Sequence, residues 1–152
     1  MSSFKGSDIY SVDAKGRVSI PSKMRRNISS EARSTFVVTR GLEKCLYGYP
    51  LDEWQRLEGN IKALNQMSEQ DRFSMRMLLQ YSEELVLDSQ CRLLIPQTLL
   101  EFAEIKKEVY IIGVLDHVEL WDPANFKRYM DSMKKSYVTV AESVLGLPEQ
   151  EA

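Results

Sequence analysis

The sequence predicts an α+β domain in which two tandem, intertwined repeats share one small β barrel, with helices outside. Three observations carry this reading. Asp13-Ala14-Lys15-Gly16-Arg17-Val18-Ser19-Ile20-Pro21 returns as Asp88-Ser89-Gln90-Cys91-Arg92-Leu93-Leu94-Ile95-Pro96, with Asp, Arg, Ile and Pro in register. Aligned chemistry over so long a period marks a duplicated unit. At 152 residues the chain is one domain's worth, so two half-length copies share a core. Each copy also reads in the same order: strand, turn, strand, short helix, strand, strand, helix. The division that follows is 1–58 for the first repeat, 59–81 for connecting helices, 82–136 for the second repeat and 137–152 for a tail.

Ser7 to Val12 alternates loosely through Ile9, Tyr10 and Val12 and predicts the first strand. Ala14-Lys15-Gly16 is a tight turn, with Gly16 free to take a positive φ. Val18 and Ile20 alternate with Arg17 and Ser19 in a second strand. Pro21 ends it and opens a short helix over 22–28, where its missing N–H costs nothing. Phe36 to Thr39 and Cys45 to Tyr49 are the next strands, joined through Gly41-Leu42-Glu43-Lys44. Pro50 opens a longer helix with Leu51, Trp54, Leu57, Ile61 and Leu64 on one face. Ser68-Glu69-Gln70-Asp71 resembles a capping box and starts another. Its apolar face is Phe73, Met77, Leu78 and Tyr81, with Met75 off the stripe, and its methionines read as core filling.

The second copy repeats the plan. Leu85 to Leu87 is a strand, Asp88 to Cys91 a turn, and Leu93 to Ile95 a strand. Pro96 opens a helix with Leu99, Phe102 and Ala103 facing inward. Val109 to Val114 and Val118 to Trp121 pair around a loop at Asp116-His117. Pro123 opens a helix bearing Phe126, Tyr129, Met130 and Met133. The tail carries Val138, Val140, Val144 and Leu145, then Gly146-Leu147-Pro148, and reads as a short helix for docking on a neighbour.

Charge separates the copies. The net charge is -2, yet residues 1 to 40 hold Lys5, Lys15, Arg17, Lys23, Arg25, Arg26, Arg33 and Arg40 against Asp8, Asp13 and Glu31. A mildly acidic protein with a basic end can bind a polyanion through that end while its other surfaces repel it. A solvated basic face with no partner is the competing reading. After Pro21 the first copy has Lys23, Arg25 and Arg26, where the second has Thr98, Leu100 and Glu101. One copy is suited to meet an anion and the other only to fold. Cations on a rigid turn and helix neutralise phosphates, and arginine can also grip the edge of guanine. In both copies Asp and Arg flank the turn, so the carboxylate can accept from turn amides or from the guanidinium. Asp13, Asp88 and Arg92 therefore read as structural. Arg17 pairs with an Asp, meets phosphate, or does each in a different state.

Other chemistry is sparse. No apolar run approaches the roughly 20 residues of a membrane span. Met1 to Gly6 lacks the apolar stretch of a signal peptide, and a cytoplasmic protein is expected. Cys45 and Cys91 read as buried thiols, and one His with two distant Cys has no recognisable zinc spacing. His117 beside Asp116 reads as surface decoration, with no nucleophile motif near it, and a small enzyme built on the two would need them to line a pocket. No enzyme activity, metal or cofactor is expected.

The run from Asp13 to Lys23, its echo from Asp88 to Pro96, and the stretches Tyr49-Pro50 to Trp54 and Trp121-Asp122-Pro123 resemble the MraZ family, relatives of the AbrB and SpoVT swapped-hairpin DNA-binding proteins. The resemblance spans about residues 4 to 135. It implies a swapped-hairpin β barrel and a bacterial transcriptional regulator of double-stranded DNA, with no membrane partner and no small-molecule substrate. Such regulators bind short direct repeats upstream of the division and cell-wall gene cluster, which usually begins with the regulator's own gene. They form closed homo-oligomeric rings and associate with the nucleoid. The implied DNA contacts are Lys15, Arg17, Lys23, Arg25 and Arg26, with Arg17 foremost. The chain departs from the family where Gly is usual, at Cys91, and where a basic residue is common, near Gln90. Cys91 is then strained if positive φ is still required. Glu101, Glu104 and Glu108 are expected to face away from DNA or toward the next subunit. A ring-forming scaffold without specific DNA binding is the alternative function.

Overall fold

The computed structural model describes residues 1–146. The first repeat runs β1 (Ser7–Ser11), β2 (Arg17–Ser19), α1 (Ser22–Arg25), a 3-10 turn (Ser30–Ala32), β3 (Thr35–Arg40), β4 (Leu46–Pro50), α2 (Leu51–Lys62) and α3 (Glu69–Leu79). The second runs β5 (Glu83–Val86), β6 (Arg92–Leu94), α4 (Gln97–Phe102), β7 (Glu108–Val114), β8 (His117–Trp121), α5 (Pro123–Ser132) and α6 (Tyr137–Leu145). Pro21, Pro50 and Pro96 are the N-cap residues of α1, α2 and α4, so each proline ends a strand and sets the entry of a helix. Pro123 instead lies inside the first turn of α5, where Asp122 caps the Asn125 N–H at 3.0 Å.

The repeats exchange strands. All ladders are antiparallel, and the main sheet has the order β1-β7-β8-β4-β3-β5. Thus β1 of the first repeat pairs with β7 of the second, and β5 of the second pairs with β3 of the first. A separate two-stranded ribbon joins β2 to β6, with Val18 opposite Leu93. Alternation along the ribbon points Val18 and Leu93 into the core and leaves Arg17, Ser19, Arg92 and Leu94 on its outer face. Val18 and Leu93 join Ile20, Met24, Ile95, Leu99 and Leu100 against Phe36, Val38, Leu46, Val109, Ile111 and Leu120 of the main sheet. One core therefore lies between ribbon and sheet. Burying each of these large side chains contributes about 1.5–3 kcal/mol. On the other face of the sheet, Trp54 of α2 packs on Tyr49, and Phe126 of α5 stacks on Tyr110.

The intertwining is as the sequence predicts, but the barrel is not closed. Strands β1 and β5 are edges of an open six-stranded sheet, and the ribbon is hydrogen-bonded as its own sheet. Both ribbon strands are only three residues long, too short to carry the ladder round to the main sheet. The helix expected over 22–28 stops at Arg25, and the fifth strand starts at Glu83 rather than Leu85. The α3 stripe also differs. Phe73, Met77 and Leu78 are exposed, while Met75 is half-buried and Tyr81, beyond the helix, packs on the core. Among the described residues this face stays exposed, with Met77 and Leu78 lining an open apolar cleft beside Trp54, Leu57 and Ile61, so Met77 does not fill a core. Likewise Tyr137, Val138, Val144 and Leu145 of α6 are exposed. The Leu147-Pro148 end of the expected tail lies outside the described residues. No helix among the described residues is long and apolar enough to cross a membrane.

Candidate nucleic-acid interface

Each turn is organised by its aspartate. Asp13 Oδ1 accepts from the Lys15 N–H (2.9 Å) and the Arg17 N–H (2.9 Å), and Oδ2 accepts from Arg17 Nε at 2.6 Å. Asp88 accepts in the same way from Gln90 N–H (2.8 Å), Arg92 N–H (2.9 Å) and Arg92 Nε (2.9 Å). The Arg17 N–H, then its guanidinium, hold the Asp13 carboxyl down at about 2, and the Arg92 N–H lowers Asp88. Arg92 Nη1 also approaches Asp13 Oδ2 at 3.9 Å, joining the two turns across the ribbon.

This geometry bears on Arg17. Its Nε is tied to Asp13, while its Nη groups have no hydrogen-bond partner among the described residues. A planar fork fixed along one edge leaves the other edge for a ligand, so pairing with Asp and meeting phosphate are compatible in a single state. Gly16 closes this turn at φ 87°, with its missing Cβ 3.1 Å from Ile95 O and Leu100 Cδ1. Cys91 occupies the equivalent place at φ 58°, so the positive φ is retained without glycine. Cys91 is half-exposed there, not buried. Cys45 is buried, and desolvation pushes its thiol up to about 12.

The basic residues do not form one cluster around the first turn. Strand β2 separates them, placing Lys15 at one end of the ribbon and α1 at the other. Arg25 and Arg26 share a shallow cleft with Ser22 and Cys91, so they flank the turn of the second repeat. The first turn borders α4 instead, in a cleft that includes Gln97, Leu100, Lys106 and Lys107. Lys15, Arg25 and Arg26 are exposed, with no carboxylate in salt-bridge range among the described residues. Lys23 differs: its Nζ donates to Ser7 O at 2.7 Å, tying α1 to β1. Arg40, counted in the basic end, stays exposed but stacks on Tyr81 and Phe102, so its guanidinium is engaged by aromatic rings.

His117 is not surface decoration. It opens β8, and its ring packs between Tyr47 and Tyr49 at 4.5 and 5.1 Å. Burial disfavours its charged form, but hydrogen bonds to Glu119 and Asp116 outweigh that and raise its pKa. A strand-pairing register that seats His117 beside two tyrosines is invisible in a search for local motifs. Lys106 and Lys107 escaped the sequence reading for a related reason: they sit among Glu101, Glu104 and Glu108, and only strand exchange carries them to the first turn.

The family of MraZ proteins, described as antitoxin-like, matches the sequence twice, over residues 3–77 and 78–146. The two matches abut within α3 and cover both halves of the intertwined fold. The chain belongs to the MraZ family.

Proposed function

We propose that the protein is a sequence-specific regulator of transcription that binds double-stranded DNA through the outer face of the β2–β6 ribbon and acts without catalysis. The observation that carries this reading is Arg17. Its guanidinium is anchored by Asp13 along one edge and open along the other, on a face bordered by Lys15, Arg25 and Arg26. An oriented fork among exposed cations is an arrangement for reading a base edge while phosphates are neutralised. Lys23 contributes charge while bracing α1 against β1. Family membership supports a promoter target of repeated boxes upstream of the division and cell-wall cluster, including the protein's own gene. It also supports a cytoplasmic, nucleoid-associated protein, a swapped-hairpin kinship and a closed ring. The exposed apolar faces of α3 and α6 are surfaces that assembly would cover. In a ring, several modest sites engage repeated boxes together and raise avidity by roughly 10²–10⁴.

A gel shift on DNA from just upstream of the protein's own gene, at several salt concentrations, tests this reading. Log affinity should fall linearly with log salt, by about 0.9 of slope per phosphate neutralised. Affinity that is flat from low to physiological salt would sink it. The same apolar α3 and α6 faces favour a second reading, a ring-forming scaffold without specific DNA binding. Light scattering that reports a ring, with equal affinity for operator and scrambled DNA, would favour the scaffold.

A further inference from the structure

We infer that Arg33 and the Lys106–Lys107 pair form a second, symmetry-related set of DNA phosphate contacts, so that both repeats grip the DNA backbone. The inference rests on the DNA-binding reading and extends its footprint into the repeat that looks neutral in sequence.

Strands β3 and β7 are equivalent, and a cation stands two residues before each: Arg33 before Thr35 and Lys106 before Glu108. Both segments are fixed by the same main-chain bond to the other repeat. Leu87 N–H donates to Ser34 O, and Val12 N–H donates to Lys107 O, each at 2.8 Å. Leu87 leads directly into the Asp88 turn, and Val12 leads into the Asp13 turn. Each turn is thereby flanked by cations from the opposite repeat. Arg33 lines a cleft with Arg25, Leu87 and Cys91, while Lys106 and Lys107 line one with Val12 and Gly16.

The three side chains are exposed, and none has a carboxylate in salt-bridge range among the described residues. Glu104 is nearby in sequence but is engaged by Lys44 at 2.6 Å. Spacing also fits. The ribbon has three residues per strand and so spans about 10 Å. The DNA major groove is ~12 Å wide. Cations at both ends of the ribbon are placed for phosphates on the two walls of the groove, with Arg17 between them toward the bases.

The test is a salt titration of affinity on an operator duplex and on a scrambled duplex. Arg33→Gln should reduce the slope by about 0.9, and Lys106→Gln with Lys107→Gln by up to ~1.8, on both duplexes alike. Arg33→Lys should restore the slope, because charge and not shape is required. Lys62→Gln, at the far end of α2, should change nothing. Circular dichroism must match the wild type throughout. Unchanged slopes in the Arg33 and Lys106/Lys107 variants would overturn the inference, as would a change confined to Arg33. A wild-type protein without salt-dependent affinity would instead bring down the DNA reading itself.

Discussion

The Asp13–Arg17 and Asp88–Arg92 turns are held by matching hydrogen bonds, yet their surroundings are crossed. The first turn is basic in sequence and borders α4, which carries no cation. The second is uncharged at its tip, through Ser89, Gln90 and Cys91, and borders the arginines of α1. Counting charge along the chain assigns everything basic to one copy. Strand exchange redistributes it, so the first turn receives Lys106 and Lys107 from the second repeat, and the second turn receives Arg25, Arg26 and Arg33 from the first. Duplication supplied two equivalent frames, and the swap decided which side chains each frame presents.

The strongest way to break the comparison is through the residues the turns share. Val18 and Leu93 face each other at the centre of the ribbon. Leu93→Ala should cost about 2–5 kcal/mol in chemical denaturation, and Val18→Ala less, since fewer methyl groups are lost. Both should lower one cooperative transition. Two separate transitions would mean that the repeats do not share a core.

A sharper test asks whether the turns are functionally unequal. Arg17→Ala should weaken operator binding by about 100-fold, the upper end for one bidentate base contact, while Gln90→Ala leaves it within about twofold. Anisotropy titrations with circular dichroism on both variants decide this. Equal losses would show that the asymmetry at the turn tips is without consequence.

Backbone strain offers a smaller contrast. Gly16→Ala should destabilise by roughly 1–3 kcal/mol, because positive φ and two close contacts oppose a Cβ. Cys91→Gly should stabilise by about 1 kcal/mol, relieving an L-residue at φ 58° against the entropy of an added glycine. Thermal melts that move in the same direction would contradict the shared turn geometry.

Acid titration gives the mildest distinction. Both carboxyls are depressed from the usual 3.8, Asp13 to about 2. A carboxylate with a lowered folded pKa stabilises fully above its unfolded value and loses that contribution as pH falls through the folded one. The loss should therefore run from about pH 4 down toward 2. Carboxyl carbon shifts in NMR should show Asp13 ionised below pH 3, and midpoints at 3.8 for both would remove the Asp–Arg pairing.

Local chemistry was legible in the sequence wherever it was set by neighbours in the chain. Asp13 and Asp88 accept from amides two and four residues on, Pro21, Pro50 and Pro96 stand at the N-caps of their helices, and Val18 alternates with Arg17 and Ser19. The pairing of β1 with β7 was not, since nothing in Ser7–Ser11 names a partner about a hundred residues away. Lys106 was missed and His117 misread for that reason, because their surroundings are built by long-range register. Phe73, Met77 and Leu78 were misread for the opposite one. Periodicity marks an apolar face but does not say whether the same chain covers it.

Strand exchange has a consequence for synthesis. Strand β1 leaves the ribosome about a hundred residues before β7, an interval of roughly 5–20 s at usual elongation rates. Throughout it the nascent chain carries an unpaired strand and half a core. A second nascent chain on the same message could supply the missing β7, giving a dimer joined across polypeptides. Loop-closure cost grows only slowly with loop length, so the chain's own β7 competes well once it emerges. The pace of translation through the second repeat therefore governs whether the intertwined monomer or its cross-chain counterpart is made.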